Sequence, residues 1–320
     1  KFSNGYFMPW PMESQGISPE KAALLSMAKE TRSKEQVKAT SYWQDISRQF
    51  RKNKLALVGL VLLLTIIILC AGAPLFTSYD PVTDMELMDM LLPPGTQGHI
   101  LGTDDCGRDV WSRLLYGGRT SMLTGLVVAL LASAVGILVG CVSGYFGGLI
   151  DNLLMRVTDI MMSFPFLVIA IALMAVLGSS QKNVIIALAI VSWPQFARLT
   201  RSQVLFVKEQ EYVEAAQVAG FGSCRIIFCH ILPNCMGPLV IQTTLSVGGA
   251  ILSAASLNFL GLGGDATLPD WGVMLNQGRS YMQNYPYLTT IPGIAISLTV
   301  LAVNWIGDGI RDAFDPKLRA

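Results

Sequence analysis

The chain has 320 residues, of which 52% are hydrophobic and only 14% are charged. A soluble domain of this size is about a quarter charged, so the deficit points to lipid as part of the solvent. A net charge of +1 gives the chain as a whole no pull toward nucleic acid or an acidic partner, and the distribution of charge carries the information instead.

Residues 1–40 read as a polar, weakly ordered tail, and the chain opens on Lys1 rather than methionine, as a trimmed or processed chain would. Tyr42 to Lys54 follows as a basic amphipathic helix whose Trp43 and Phe50 suit a membrane surface. The first long apolar run starts near Leu55, too late for a cleavable secretion signal.

Crossing a hydrocarbon core of about 30 Å takes about 20 apolar residues in a helix. Six stretches qualify, at 55–73, 120–144, 160–178, 184–205, 237–262 and 287–307. Pro165 is expected to kink the third. Pro194 is expected to break the fourth, whose Arg198 and Arg201 would snorkel to an interface. Gly136, Gly140, Gly144 and Gly148 recur every four residues, which predicts one helix face open to close approach, as static packing or as a moving contact. Between their polar ends the spans carry no Asp, Glu, Lys, Arg or His near a midplane. Proton- or voltage-driven machines usually keep such a group there, so the driving energy is expected to enter from outside the bilayer.

Six spans put both termini on one side. With the N-terminus inside, 18 of the 23 Lys and Arg residues face the cytoplasm, and the positive-inside rule selects that orientation. The outer segment 74–119 then carries seven acidic residues against three arginines, either a surface for a binding protein or cationic solute, or a solvated face. Gly107-Arg108-Asp109 reads as structuring the entrance to the second span. The six cysteines form no CxxC pair, and Cys224, Cys229, His230 and Cys235 match no common zinc spacing, so small buried thiols are the expectation and no metal is assigned.

The segment 211–234 faces the cytoplasm in this topology and is too polar to cross lipid. Glu211 to Ala219 favours helix, with its acids near the positive end of the dipole. Gly220 suits a left-handed cap. Ser223 is expected to cap a second short helix through Ile231, ended by Pro233. The product is an elbow fronted by Ala215, Ala216 and Ala219, suited to docking on another protein or to serving as a plain connector.

Glu214-Ala215-Ala216, Gly220 and His230-Ile231-Leu232-Pro233 resemble the EAA loop of bacterial ABC importer permeases. His230 stands where the general motif has a hydrophobic residue, and "HILPN" is similar to the dipeptide/oligopeptide/nickel branch. "LGTDDCGRDVWSRLLYGGRTS" at 101–121, "DNLLMRVTDIMMSFP" at 151–165, "LNFLGLGGDATLPDWGVML" at 257–275 and "GDGIRDAFDP" at 307–316 agree with the C-type permease subunit of that branch, in family order. The resemblance implies an all-α polytopic fold of six transmembrane helices, the type I importer permease fold. Residues 1–54 would be the cytoplasmic tail with its amphipathic helix, 55–119 the first helix and outer loop, 120–310 a five-helix core, and 311–320 a cytoplasmic tail. It further implies a second (B-type) permease, two ATPase subunits, a solute-binding protein outside, and a bacterial cell membrane. Glu214, Ala215, Ala216, Gly220, His230, Leu232 and Pro233 would form the ATPase-docking coupling helix, with Glu214 as its polar anchor.

The chain has no GxxxxGK[ST] to cradle phosphate, so Mg-ATP is expected on separate subunits and no cofactor on this one. The solute implied is a peptide, with nickel, metallophore or glutathione as alternatives. An intramembrane serine or metalloprotease would need His, or His plus Asp, near its nucleophile or metal, and the only histidines, His99 and His230, lie on opposite sides in this topology, so no single site can use both. A channel or secondary carrier would differ in needing no ATP, and a non-transporting sensor in giving no flux.

Overall fold

In the computed structural model, residues 42–314 are described, apart from 264 and 266. The expectations for the tails before and after this range lie outside the described residues. The amphipathic α1 (Tyr42–Lys52) is followed by α2 (Lys54–Ala71), α3 (Val110–Phe146), α4 (Gly148–Ser163), α5 (Phe166–Leu177) and α6 (Gln181–Lys208). They are followed by α7 (Glu211–Val218), α8 (Leu232–Phe259), α9 (Trp271–Gly278) and α10 (Tyr287–Phe314). Among the described residues there are no strands, only two isolated bridges in the outer loop. In lipid each backbone N–H and C=O must be satisfied within its own segment, which is why the spanning parts are helical.

Five helices are long and apolar enough to cross a membrane, and the α4–α5 pair makes a sixth crossing if it is counted as one bent span. The expected single helix at 160–178 is therefore corrected: α4 and α5 meet at 94°. Pro165 has no N–H to donate and pushes Phe164 into extended backbone (φ −98°, ψ 148°), so the pair breaks there. Pro194 does the opposite of what was expected, lying within a continuous α6. α3 is longer than its apolar run suggests, because Asp109 caps it by accepting the Ser112 N–H at 2.7 Å.

The glycine stripe resolves into packing. An added Cβ at Gly140 would lie 2.5 Å from Ala197 O and from Thr200 Cβ, and one at Gly144 would lie 2.9 Å from Val204 Cβ. Gly136 likewise meets Trp193 O. α3 and α6 thus approach backbone to backbone along three helical turns, where no larger residue fits. Gly148 does not belong to this face: α3 ends at Phe146, and Gly147 and Gly148 form the turn at φ +66° and +56°.

Arg198 and Arg201 do not snorkel alone. They pair with carboxylates of α4, Arg198 Nη2 to Asp159 Oδ1 at 2.8 Å and Arg201 to both oxygens of Asp151 at 2.6 Å. The Ser143 hydroxyl also donates to Asp151, which ties α3, α4 and α6 at one end. Asn53 caps α2 by accepting the Ala56 N–H and donates to Asp312 of α10 at 2.8 Å, joining the first and last crossings.

Gly140→Leu is expected to destabilise the purified protein by about 1–3 kcal/mol, the usual cost of overpacking. Gly222→Ala, at a site with open space around its Cβ and a negative φ, should be neutral. Thermal melts in detergent check both.

Candidate functional site

The polar segment between α6 and α8 folds as two arms around a glycine. Glu211 and Glu214 sit in the first turn of α7, where the helix dipole favours them. The helix closes with a Schellman motif: Phe221 N–H donates to Ala216 O at 3.2 Å and Gly220 N–H to Gln217 O at 3.0 Å. This requires a left-handed residue, and Gly220 has φ +78°. No atom lies within 4 Å of where its Cβ would be, so the demand there is conformational and not steric.

The elbow has an inner and an outer face. Val213 and Ala216 are buried in one core cluster with Val204 and Val207 of α6, Cys141 of α3, and Cys235 and Leu239 of α8. Glu211, Glu214, Ala215, Gln217 and Gly220 are exposed. Ala216 therefore seats the helix on its own protein, while Glu214 and Ala215 remain on the open side. On the second arm, Leu232 packs against the same cluster and Pro233 is exposed. His230 stacks on Phe221 with ring centroids 5.9 Å apart, and the Arg225 guanidinium lies 4.4 Å from the centroid of the Phe221 ring. These two contacts hold the second arm against the turn.

The second arm does not stop at Pro233. Gly222 and not Ser223 takes the cap position, and no side chain caps it. Residues Ile226–Ile231 form a π turn, in which Leu232 N–H donates to Ile227 O, and the helix runs on into α8. The wider turn places Pro233 at the start of a new helical register, where its missing N–H is tolerated. Asn234 Nδ2 donates to His230 O at 2.6 Å, a further tie across the start of α8.

The outer face is built around buried charge. Arg108 and Arg113 are 2% and 1% exposed, and both turn to Asp104: Arg108 Nε lies 2.8 Å and Arg113 Nε 3.4 Å from its Oδ2. Both also donate to Gln277 Oε1 of α9. His99 Nδ1 lies 2.9 Å from Asp109 Oδ1. Asp270 caps α9, accepts from Asn258 Nδ2 of α8, and accepts from the Ser121 hydroxyl of α3 at 2.7 Å. The acidic loop thus divides: Asp104 and Asp109 hold the structure, while Asp80, Asp84 and Glu86 are exposed. Backbone N–H groups of Thr83 and Val82 hold the Asp80 carboxyl below its ordinary pKa.

The sequence reading missed Asp270 and Gln277, whose partners include residues more than a hundred positions away; the Asp-Trp-Gly start of α9 was the available signal. Cys224 and Cys229 are exposed and Cys235 is buried, so these thiols do not converge with His230. Among the described residues Asp104, Asp105 and Cys106 do come together, and burial raises the Cys106 thiol pKa above its ordinary value.

A polytopic helical bundle with a polar elbow between two crossings and a braced outer loop is the architecture of a membrane transport component. The chain belongs to the family of binding-protein-dependent transport system inner membrane components, which it matches over residues 136–320; residues 41–94 match the N-terminal TM domain of oligopeptide transport permease C. It is 44% identical to the dipeptide transport system permease protein DppC of Alkalihalophilus pseudofirmus over 89% of this chain and 93% of that one. It is 42% identical to the oligopeptide transport system permease protein OppC of Bacillus subtilis, over 88% and 92%. The fold is similar to the inward-facing MetNI methionine ABC transporter, with a TM-score of 0.53 at 18% identity over 64% of this chain and 98% of that one. The chain is a multi-pass inner-membrane permease subunit of an ABC importer.

Asp104→Asn leaves two buried guanidinium groups without their carboxylate and is expected to cost about 3–5 kcal/mol, whereas the exposed Glu86→Gln should change little. Thermal unfolding in detergent, with protease resistance of the outer loop, checks the pair.

Proposed function

We propose that this chain forms half of a translocation path for peptides and is driven through α7 by a separate ATPase subunit. The observation that carries the reading is the two-sided elbow. Val213 and Ala216 lock α7 to the ends of α3, α6 and α8, while Glu214 and Ala215 are presented outward. A push on the open face is passed to three crossing helices through a packed core, which transmits strain because it has little free volume. The permeases for dipeptides and oligopeptides at 42–44% identity support peptides as the solute.

A second permease of the B type would complete the path, two ATPase subunits would bind Mg-ATP, and a solute-binding protein would deliver cargo to the outer face. Glu214 anchors α7 in an ATPase cleft, and the left-handed Gly220 keeps the elbow rigid. Ala215, His230, Leu232 and Pro233 complete the docking segment. His230 acts there by bracing Phe221, Leu232 by packing inward, and Ala216 by seating the helix. Both termini and the elbow face the cytoplasm in this reading, which the distribution of basic residues supports.

Two outcomes follow for the complex reconstituted in proteoliposomes. Peptide uptake should require Mg-ATP and the binding protein and should persist with a protonophore present; uptake by this chain alone down a proton gradient would contradict the reading. Gly220→Val, which forces a β-branched residue into left-handed backbone at a cost of ~1–2 kcal/mol, and Glu214→Lys should each lower uptake severalfold while the chain stays in the membrane. Normal transport by both would make the elbow a mere connector. For topology, a cysteine replacing the exposed Gln217 should react with an impermeant maleimide only from the cytoplasmic side.

A further inference from the structure

A cavity of about 510 Å³ opens between α3, α5, α6 and α8, well apart from the elbow and the outer loop. Its volume falls within the ~300–1,000 Å³ typical of small-molecule sites. Apolar side chains of α3 and α5 make one part of its wall. The rest, from α6 and α8, mixes Leu188, Phe196, Leu245 and Ala250 with a polar stripe that follows helix periodicity. Ser192 and Gln195 are three residues apart on α6; Gln242, Ser246, Gly249 and Ser253 recur at intervals of four, three and four on α8. Gly249 is exposed, with no atom within 4 Å of where its Cβ would be, so this stripe faces open space.

The two carboxamides distinguish this wall from ordinary helix packing. Gln195 is exposed and Gln242 half-buried, both lie well inside crossing helices, and neither hydrogen-bonds to another described residue. A carboxamide turned into lipid without a partner costs several kcal/mol, so both require a polar group before them, from water, a solute or the second permease. Among the described residues that line the cavity there is no Asp, Glu, Lys, Arg or His. The wall offers donors, acceptors and small gaps, and no fixed charge.

We infer that this cavity is the chain's share of the translocation path, and that Gln195 and Gln242 pair with the backbone amides of a peptide in transit. The inference rests on the peptide-importer reading above and adds to it the residues and the basis of recognition. A carboxamide presents the same donor and acceptor as a peptide bond, and so exchanges hydrogen bonds with any sequence. An uncharged wall imposes no desolvated charge–charge repulsion, so acidic and basic side chains pass alike. Selection by charge belongs to the binding protein and not to the path.

The test uses the complete complex in proteoliposomes, with Ala-Glu-Ala and Ala-Lys-Ala as cargo and binding-protein-stimulated ATP hydrolysis measured in parallel. Gln195→Leu combined with Gln242→Leu should lower uptake of both peptides about tenfold, the worth of one to two hydrogen bonds, while stimulated hydrolysis persists. Gln195→Glu should lower the ratio of acidic to basic peptide uptake, and Gln195→Lys should raise it, by about tenfold in each direction if the peptide passes within a few ångströms. The ratio within each variant is unaffected by poor assembly or partial misfolding, so it reports on the path alone. Wild-type uptake of both peptides with unmoved ratios in the variants would overturn this inference and leave the importer reading standing. Failure of the wild-type complex to take up either peptide would overturn the importer reading, and this inference with it.

Discussion

Lipid removes the usual drive for helix association, since a neighbouring acyl chain is as apolar as a leucine, and what remains is close packing and polar ties. In this chain the close packing is concentrated where α3 lies on α6 through Gly136, Gly140 and Gly144. The other crossings are arranged around that pair. α8 packs against both, α2 packs against α3 and α10, α10 packs against α8, and α4 is held to α6 by the Asp151–Arg201 ion pair. Because the two backbones meet directly, α3 and α6 can move only together or by sliding along the stripe.

That constraint gives the elbow its mechanical meaning. α6 leads directly to α7, and the cluster around Val213 and Ala216 also contains Cys141, one helical turn from the last glycine contact. Displacement of α7 therefore acts on the rigid pair as a unit and on α8 through the π turn at 226–231, a local widening of the ladder able to absorb a shift. At the opposite end, Asp270 joins α3, α8 and α9, and Asp104 pairs with the two buried arginines, which reach α9 through Gln277. The bundle is braced by buried charge at one end and by packing at the other. The polar cavity lies between them, on α6 and α8, the helices that the elbow connects.

Local chemistry was legible in the sequence. The turn at Gly220, the acids at the start of α7 and the glycine face of α3 each follow from residues within two helical turns of one another. The break at Pro165 was legible as a kink, but its 94° angle depends on how α4 is held by Arg198 and Arg201, which lie far along the chain. Pro233 misled, because a π turn upstream removes the conflict that would otherwise end the helix. The direction of Ala216 depends on partners from other helices and carries no local signal, and Asp270 could be read from its Asp-Trp-Gly sequence only as a helix cap and not as the tie to α3 and α8. Gln195 and Gln242 were overlooked for a different reason. A scan of the spans for ionisable residues passes over neutral amides, although a carboxamide inside a membrane also needs a partner.

The account turns on Ala215 lying at the surface of an elbow that meets an ATPase. Replacing Ala215 by the photocrosslinking residue p-benzoylphenylalanine in the assembled complex tests this directly. Irradiation should give a covalent adduct with an ATPase subunit, because this position points away from the chain's own core while its neighbour Ala216 is buried in it. Adducts with lipid or with the partner permease alone, in a complex shown to contain the ATPases, would contradict it.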